Sequence, residues 1–257
     1  MCITPSLSKK MSIRKAFSLI ELLVTIGVIA ILIGLVIPAL AGARGVARQA
    51  VCLSNLHGIA KVLESYQQTY DDSYPFVHIN QQLATEPPDE DGGSGIIWND
   101  PWKLEIYWPA VMHENAPWRT FFDAWICPGS PRMPTRPWRF ELPYGGMGMS
   151  SYHYTRTFQA APSLWMPGAK KDPSLLRAVR HAEVQFPASK VVMFDAELAH
   201  LPHRDRDRKG IAIPMLFADG HTVVSRREDA TLPAENPFVE RPEPLHDTPG
   251  GVKGRDY

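Results

Sequence analysis

In the C-terminal part of the chain, Asp195, Glu197, His200, His203, Asp219 and His221 carry the side chains from which metal and acid–base sites are built. Carboxylate oxygens with imidazole nitrogens suit zinc, and oxygens alone suit calcium. His200 and His203 stand three apart, and Asp195 and Asp219 fall in segments that read as adjacent strands, where they could meet. Against a site stands the run from His203 to Lys209, HRDRDRK, whose alternating charge reads as a solvated loop. No nucleophile motif and no glycine-rich phosphate loop accompanies these residues. The expectation is therefore no catalytic residue, no metal and no cofactor: the chain does not read as an enzyme.

Cysteine chemistry is limited to Cys2, Cys52 and Cys127. Without a Cys-x-x-Cys pair, neither a structural zinc site nor a thioredoxin-like motif is supported. Cys52 and Cys127 leave two readings open. They could bridge if both lie in an oxidising compartment, or they are two small buried residues.

The remaining residue out of place is Glu21. From Phe17 to Leu40 the sequence FSLIELLVTIGVIAILIGLVIPAL holds this one charge in 24 residues. As a helix such a run is about 36 Å long, enough for a hydrocarbon core of roughly 30 Å. Lys9, Lys10, Arg14 and Lys15 precede it with no acid before Phe17, and Arg44 and Arg48 follow. That excess of positive charge favours a cytoplasmic N-terminus, with the larger part of the chain across the membrane. Met1 and Met11 are both candidate starts. A cleaved secretory signal could use Ala39-Leu40-Ala41, but its apolar region would be too long. A plain anchor accounts for the length and leaves Glu21 unexplained, since a carboxylate within an apolar span is costly.

The stretch Arg14-Lys15-Ala16-Phe17-Ser18-Leu19-Ile20-Glu21-Leu22-Leu23-Val24 resembles the cleavage and methylation motif of type IV prepilins and type II secretion pseudopilins. The resemblance implies a leader of residues 1–16 and cleavage by a prepilin peptidase between Ala16 and Phe17. It also implies N-methylation of Phe17. Glu21 then takes the family's assembly position, where its carboxylate can offset the N-terminal amine of a neighbouring subunit. Pro38 matches a helix-kinking proline of that family. Alanine at 16, where the family usually has glycine, is a departure.

Beyond the apolar run, Cys52, Leu56, Ile59, Leu63, Tyr66 and Tyr70 recur at helical spacing, with Lys61, Glu64, Gln67 and Gln68 off the stripe. This predicts that one helix continues over 41–72, packs its stripe on a domain, and stops at Asp71-Asp72-Ser73-Tyr74-Pro75. The segment 52–70 resembles the helix of a bacterial prepilin-like subfamily named for a His–nine residues–Asp-Gly signature. Ile126-Cys127-Pro128, Ser151–Tyr154 and Lys190–Asp195 resemble further landmarks of it. Asp219, Gly220 and His221 match the signature itself, while Lys209 stands where its histidine belongs.

Residues 190–198 and 211–226, rich in Val, Ile and Phe, read as strands, with Asp219-Gly220 suited to a hairpin turn. Trp98, Trp102, Trp108, Trp118, Trp125 and Trp138 suggest either a sugar-binding surface or aromatic packing, and packing is the simpler account. The run Pro87–Gly93 reads as a loop, residues 73–228 as the globular domain, and 229–257, rich in proline and charge, as a mobile tail. The 27 basic and 27 acidic residues balance, so nothing points to nucleic acid.

The expected fold class is thus α+β: a long N-terminal transmembrane and amphipathic helix packed on a C-terminal antiparallel β-sheet domain. The function the resemblance implies is a pilin-like subunit of the inner membrane with a periplasmic domain. Its partners would be prepilin peptidase, other pilin-like subunits and membrane lipid. The alternative is a monomeric, membrane-tethered periplasmic binding module, with carbohydrate as ligand.

Overall fold

A computed structural model describes residues 18–78, 82–83, 96–97, 102, 104–112, 114–128, 150–198, 201 and 210–257. Ala16, Phe17, Trp98, Trp138, His200, His203 and Lys209 lie outside the described residues, as does the Pro87–Gly93 loop.

Helix α1 runs Leu19–Thr69 without interruption, through Pro38. Its start is a capping arrangement. The Ser18 hydroxyl accepts from the Ile20 N–H at 3.2 Å, and the Glu21 carboxylate accepts from the Ser18 N–H at 2.9 Å, so two of the helix's orphan donors are satisfied. Its end is set by Asp71 and Asp72, both in the left-handed region at φ 54° and 55°, which aspartate tolerates better than most residues. The Asp72 N–H then reaches back to the Gln67 carbonyl at 2.9 Å and closes the last turn.

The chain divides into two compact units, Met1–Arg44 and Gly45–Tyr257. In the first, α1 is apolar on every side, and Leu19, Ile20, Leu23, Ile31, Leu35 and Ile37 are all more than half exposed. This segment is long and apolar enough to cross a membrane. In the second unit the same helix has one apolar stripe. Cys52, Leu56, Ile59, Leu63 and Tyr66 are buried, as their spacing predicts. Tyr70, the last member of the expected stripe, is exposed. Its ring stacks on Tyr66 and its hydroxyl donates to Glu114 at 2.9 Å.

The stripe belongs to a core that also contains Trp108, Trp125, Tyr152, Tyr154, Phe158, Val192 and Leu216. The sheet is antiparallel, in the order β3 (Tyr152–Tyr154), β4 (Val191–Asp195), β5 (Ala212–Phe217), β6 (Thr222–Arg226). A two-residue pair, β1 (Gln82–Leu83) with β2 (Ile96–Ile97), stands apart from it. Every residue of β4 is buried, because a second cluster of Val191, Phe194, Ile213, Met215, Phe217 and Leu245 forms besides the one that holds the helix stripe. Val192 and Met193 both join the helix-side cluster although they are consecutive. The ladder to β5 shifts register between Val191 and Met193, and such an irregularity breaks the strict alternation of a strand. Asp219-Gly220 forms the β5–β6 turn with Gly220 at φ 87°, the geometry that favours glycine there.

The expected mobile tail is a correction. Residues 229–257 are folded into the domain, with His246, Asp247, Thr248, Val252 and Asp256 buried. Buried ion pairs and hydrogen bonds hold them where apolar content alone could not. Asp256 accepts from the Lys190 ammonium at 3.2 Å and from the Val191 N–H at 2.7 Å, and the Thr248 hydroxyl bridges the pair. Burial pushes the Lys190 ammonium below its ordinary pKa, and the Asp256 carboxylate opposes that shift. Gly254 lies so close to the Pro249 carbonyl that a Cβ would run into it.

Candidate functional site: an exposed apolar helix and two buried polar clusters

Three regions could carry function, and each is built by different elements. The first is the N-terminal part of α1, where Glu21 sits in the first turn of the helix. Its exposed carboxylate caps Ser18 through Oε2. The signal for this was present in the sequence as Ser-x-x-Glu ahead of an apolar run, and it supplies a local role for Glu21 besides the assembly role. Pro38 is exposed within the continuous helix.

The second region joins α1 to the sheet. Cys52 on the buried stripe and Cys127 before Pro128 bring their sulfurs to 2.7 Å, and the Asp195 carboxylate at the end of β4 lies beside them. Two zinc-bound thiolates, each about 2.3 Å from a shared tetrahedral ion, would be separated by well over 3 Å. The sulfur pair is too close for that. The hydrogen bond between the two sulfurs, then burial, then Asp195 push the Cys127 thiol far above its ordinary pKa. Asn55, one turn on from Cys52, donates to the carbonyls of Asp123 at 3.0 Å and Ile126 at 3.2 Å. This clamps the helix to the segment that carries Cys127.

The third region went unseen in the sequence. Glu105, in the first turn of α2 (Leu104–Val111), meets His153 of β3 and His246 of the C-terminal segment. Glu105 Oε1 lies 2.8 Å from His153 Nδ1 and 3.3 Å from His246 Nε2. Its Oε2 is 3.2 Å from the Arg156 guanidinium, which also pairs with Asp247 at 2.9 Å. Trp165, Asn236 and the Glu243 N–H all donate to Asp247. Burial alone would raise the Glu105 carboxyl, but His246, His153 and Arg156 outweigh it and hold it down at about 2. Burial pushes the His246 imidazole well below the ordinary histidine range, and the Glu105 carboxylate opposes that shift.

The meeting of Asp195 and Asp219 that the sequence allowed does not occur. Asp195 and Asp219 lie at opposite ends of β4, because Val191 pairs with Phe217 while Asp195 pairs with Tyr152. The Asp195 carboxylate accepts from the Glu197 and Leu198 N–H groups at 3.1 and 3.0 Å, which is a turn-closing role. Asp219 accepts from the His221 N–H at 3.1 Å and contacts its ring, and that ring stacks on Phe217. The Asp-Gly-His signature is thus a self-contained turn. Of the tryptophans, Trp102, Trp108 and Trp125 are buried, and Trp108 meets Trp125 edge to face at 4.8 Å.

No known family model matches the chain, and neither does any curated protein or solved structure.

Proposed function

We propose that the chain is a pilin-like structural subunit, cut by a prepilin peptidase between Ala16 and Phe17. It would be methylated at Phe17 and assembled in the inner membrane through α1 into a secretion pseudopilus or related filament, with the Gly45–Tyr257 unit in the periplasm. The observation that carries the reading is a helix apolar on all sides, with a single carboxylate in its first turn. A helix exposed in this way needs a surrounding of lipid or of other apolar helices. The positive residues before Phe17 orient it. The cap at Ser18 occupies Oε2 of Glu21, and a carboxylate has a second oxygen with which to meet the amine of an adjacent subunit. In the periplasm the Cys52–Cys127 pair would be oxidised to a disulfide.

The tethered-monomer reading gains no support from the tryptophans whose side chains are described. Three of them are core residues, so they offer no stacking face for a sugar. Cysteine crosslinking along the apolar segment separates the two readings. Single cysteines at positions such as Ile26 or Ile33, in membranes that also hold the prepilin peptidase, should give helix-to-helix adducts. Glu21→Ala should be cleaved normally and lose those adducts. A chain that stays uncrosslinked at every position is a tethered monomer.

A further inference from the structure

The Glu105–His153–His246 cluster brings one carboxylate oxygen and two imidazole nitrogens, carried by three separate elements, to a single point. His246 is buried, and its Nε2 faces Glu105 Oε1.

From these observations we infer that Glu105, His153 and His246 form a binding site for a divalent transition-metal ion, with zinc the best fit. The donor atoms, Glu105 Oε1, His153 Nδ1 and His246 Nε2, all lie within 4.8 Å of one another. Donors bonded to one tetrahedral ion at about 2.0–2.2 Å sit roughly 3.3 Å apart. The His246 edge already has that length, at 3.3 Å, and the His153 edge, at 2.8 Å, has to open by about half an ångström. Two imidazoles and one carboxylate suit zinc, whereas calcium and magnesium take oxygen donors. Arg156 holds Oε2, so Glu105 binds through Oε1 alone, and Asp247 holds Arg156 in place.

The ring planes are set in advance, because the Phe194 ring packs edge to face on His246 and tilted against His153. His153, 21% exposed, gives the ion a way in and leaves a fourth position for water or a ligand. The three donors come from α2, β3 and the C-terminal segment, so the ion would tie that segment to the sheet. The site is independent of filament assembly and would exist in a tethered monomer as well.

The test uses the full chain in detergent, stripped with a chelator and titrated with zinc against a chromophoric competitor. One zinc per chain is expected. His153→Ala and His246→Ala should each weaken binding by roughly 100-fold or more. His153 is partly exposed, so its variant should melt like the unaltered chain without metal, which separates lost ligation from misfolding. Cys52→Ser with Cys127→Ser should still bind one zinc. Cobalt in place of zinc should show visible d–d bands without a thiolate charge-transfer band. The assignment is overturned by an absence of stoichiometric zinc, by zinc binding that survives loss of both histidines, or by zinc that disappears with the cysteines.

Discussion

Helix α1 is one continuous element that lives in two environments, and the two halves differ in how the apolar residues are arranged around it. In Leu19–Leu40 they cover the whole circumference and stay exposed. From Cys52 to Tyr66 they form one stripe that the domain buries. An all-round apolar helix that no described residue covers calls for lipid or other apolar helices around it. A striped helix has its partner already. The C-terminal domain reverses this economy: its last segment is polar and proline-rich, yet it is held inside by paired charges.

The largest effect should come from the buried pair that fixes that segment. Lys190→Met leaves Asp256 buried without its cation and should cost about 3–5 kcal/mol in a urea titration of the detergent-solubilised chain. A change below about 0.5 kcal/mol would mean that the segment contributes nothing to folding. Next, the same truncation made in both halves of α1 tests the comparison directly. Leu56→Ala should destabilise the domain by about 2–5 kcal/mol, while Leu32→Ala should leave its unfolding midpoint within about 0.5 kcal/mol. Equal effects at both positions would erase the distinction.

A smaller effect belongs to the sulfur pair. Peptide mapping of protein matured in an oxidising compartment should find Cys52 joined to Cys127, and reduction should lower stability by about 2–4 kcal/mol. Once reduced, the Cys127 thiol should resist alkylation at mildly alkaline pH, since its hydrogen bond with Cys52 and its burial disfavour the thiolate. Rapid alkylation of native protein would contradict this burial. The smallest effect sits at the start of α1. Ser18→Ala should cost about 0.5–2 kcal/mol of helix stability, seen as faster amide exchange confined to the first turn.

Periodicity made much of this molecule legible. The spacing of 52, 56, 59, 63 and 66 predicted the buried face, and the runs 190–198 and 211–226, rich in Val, Ile and Phe, predicted β4, β5 and β6. Tyr70 broke the pattern because the helix stops just before it, and its hydroxyl finds Glu114 at the surface. The polar cluster could not be read in this way. Glu105, His153 and His246 are far apart in sequence and sit on a helix, a strand and an irregular segment, so no spacing rule joins them. Composition misread the tail for a related reason. Proline and charge usually mark a solvated segment, but Asp247 and Asp256 each find a buried cation, and pairing of that kind leaves no trace in composition. The Asp195–Asp219 meeting failed on strand direction: in an antiparallel pair, residues near the end of one strand and just past the end of the next lie apart.

The central claim is that the mature chain begins at Phe17 and enters an assembly through α1. Mass spectrometry of the N-terminal peptide from cells that contain a prepilin peptidase tests it most directly. The account predicts a chain that starts at Phe17 and carries a methyl group on the new amine. A mature chain that still carries Lys15-Ala16 ahead of Phe17, or one cut after Ala41, would contradict it.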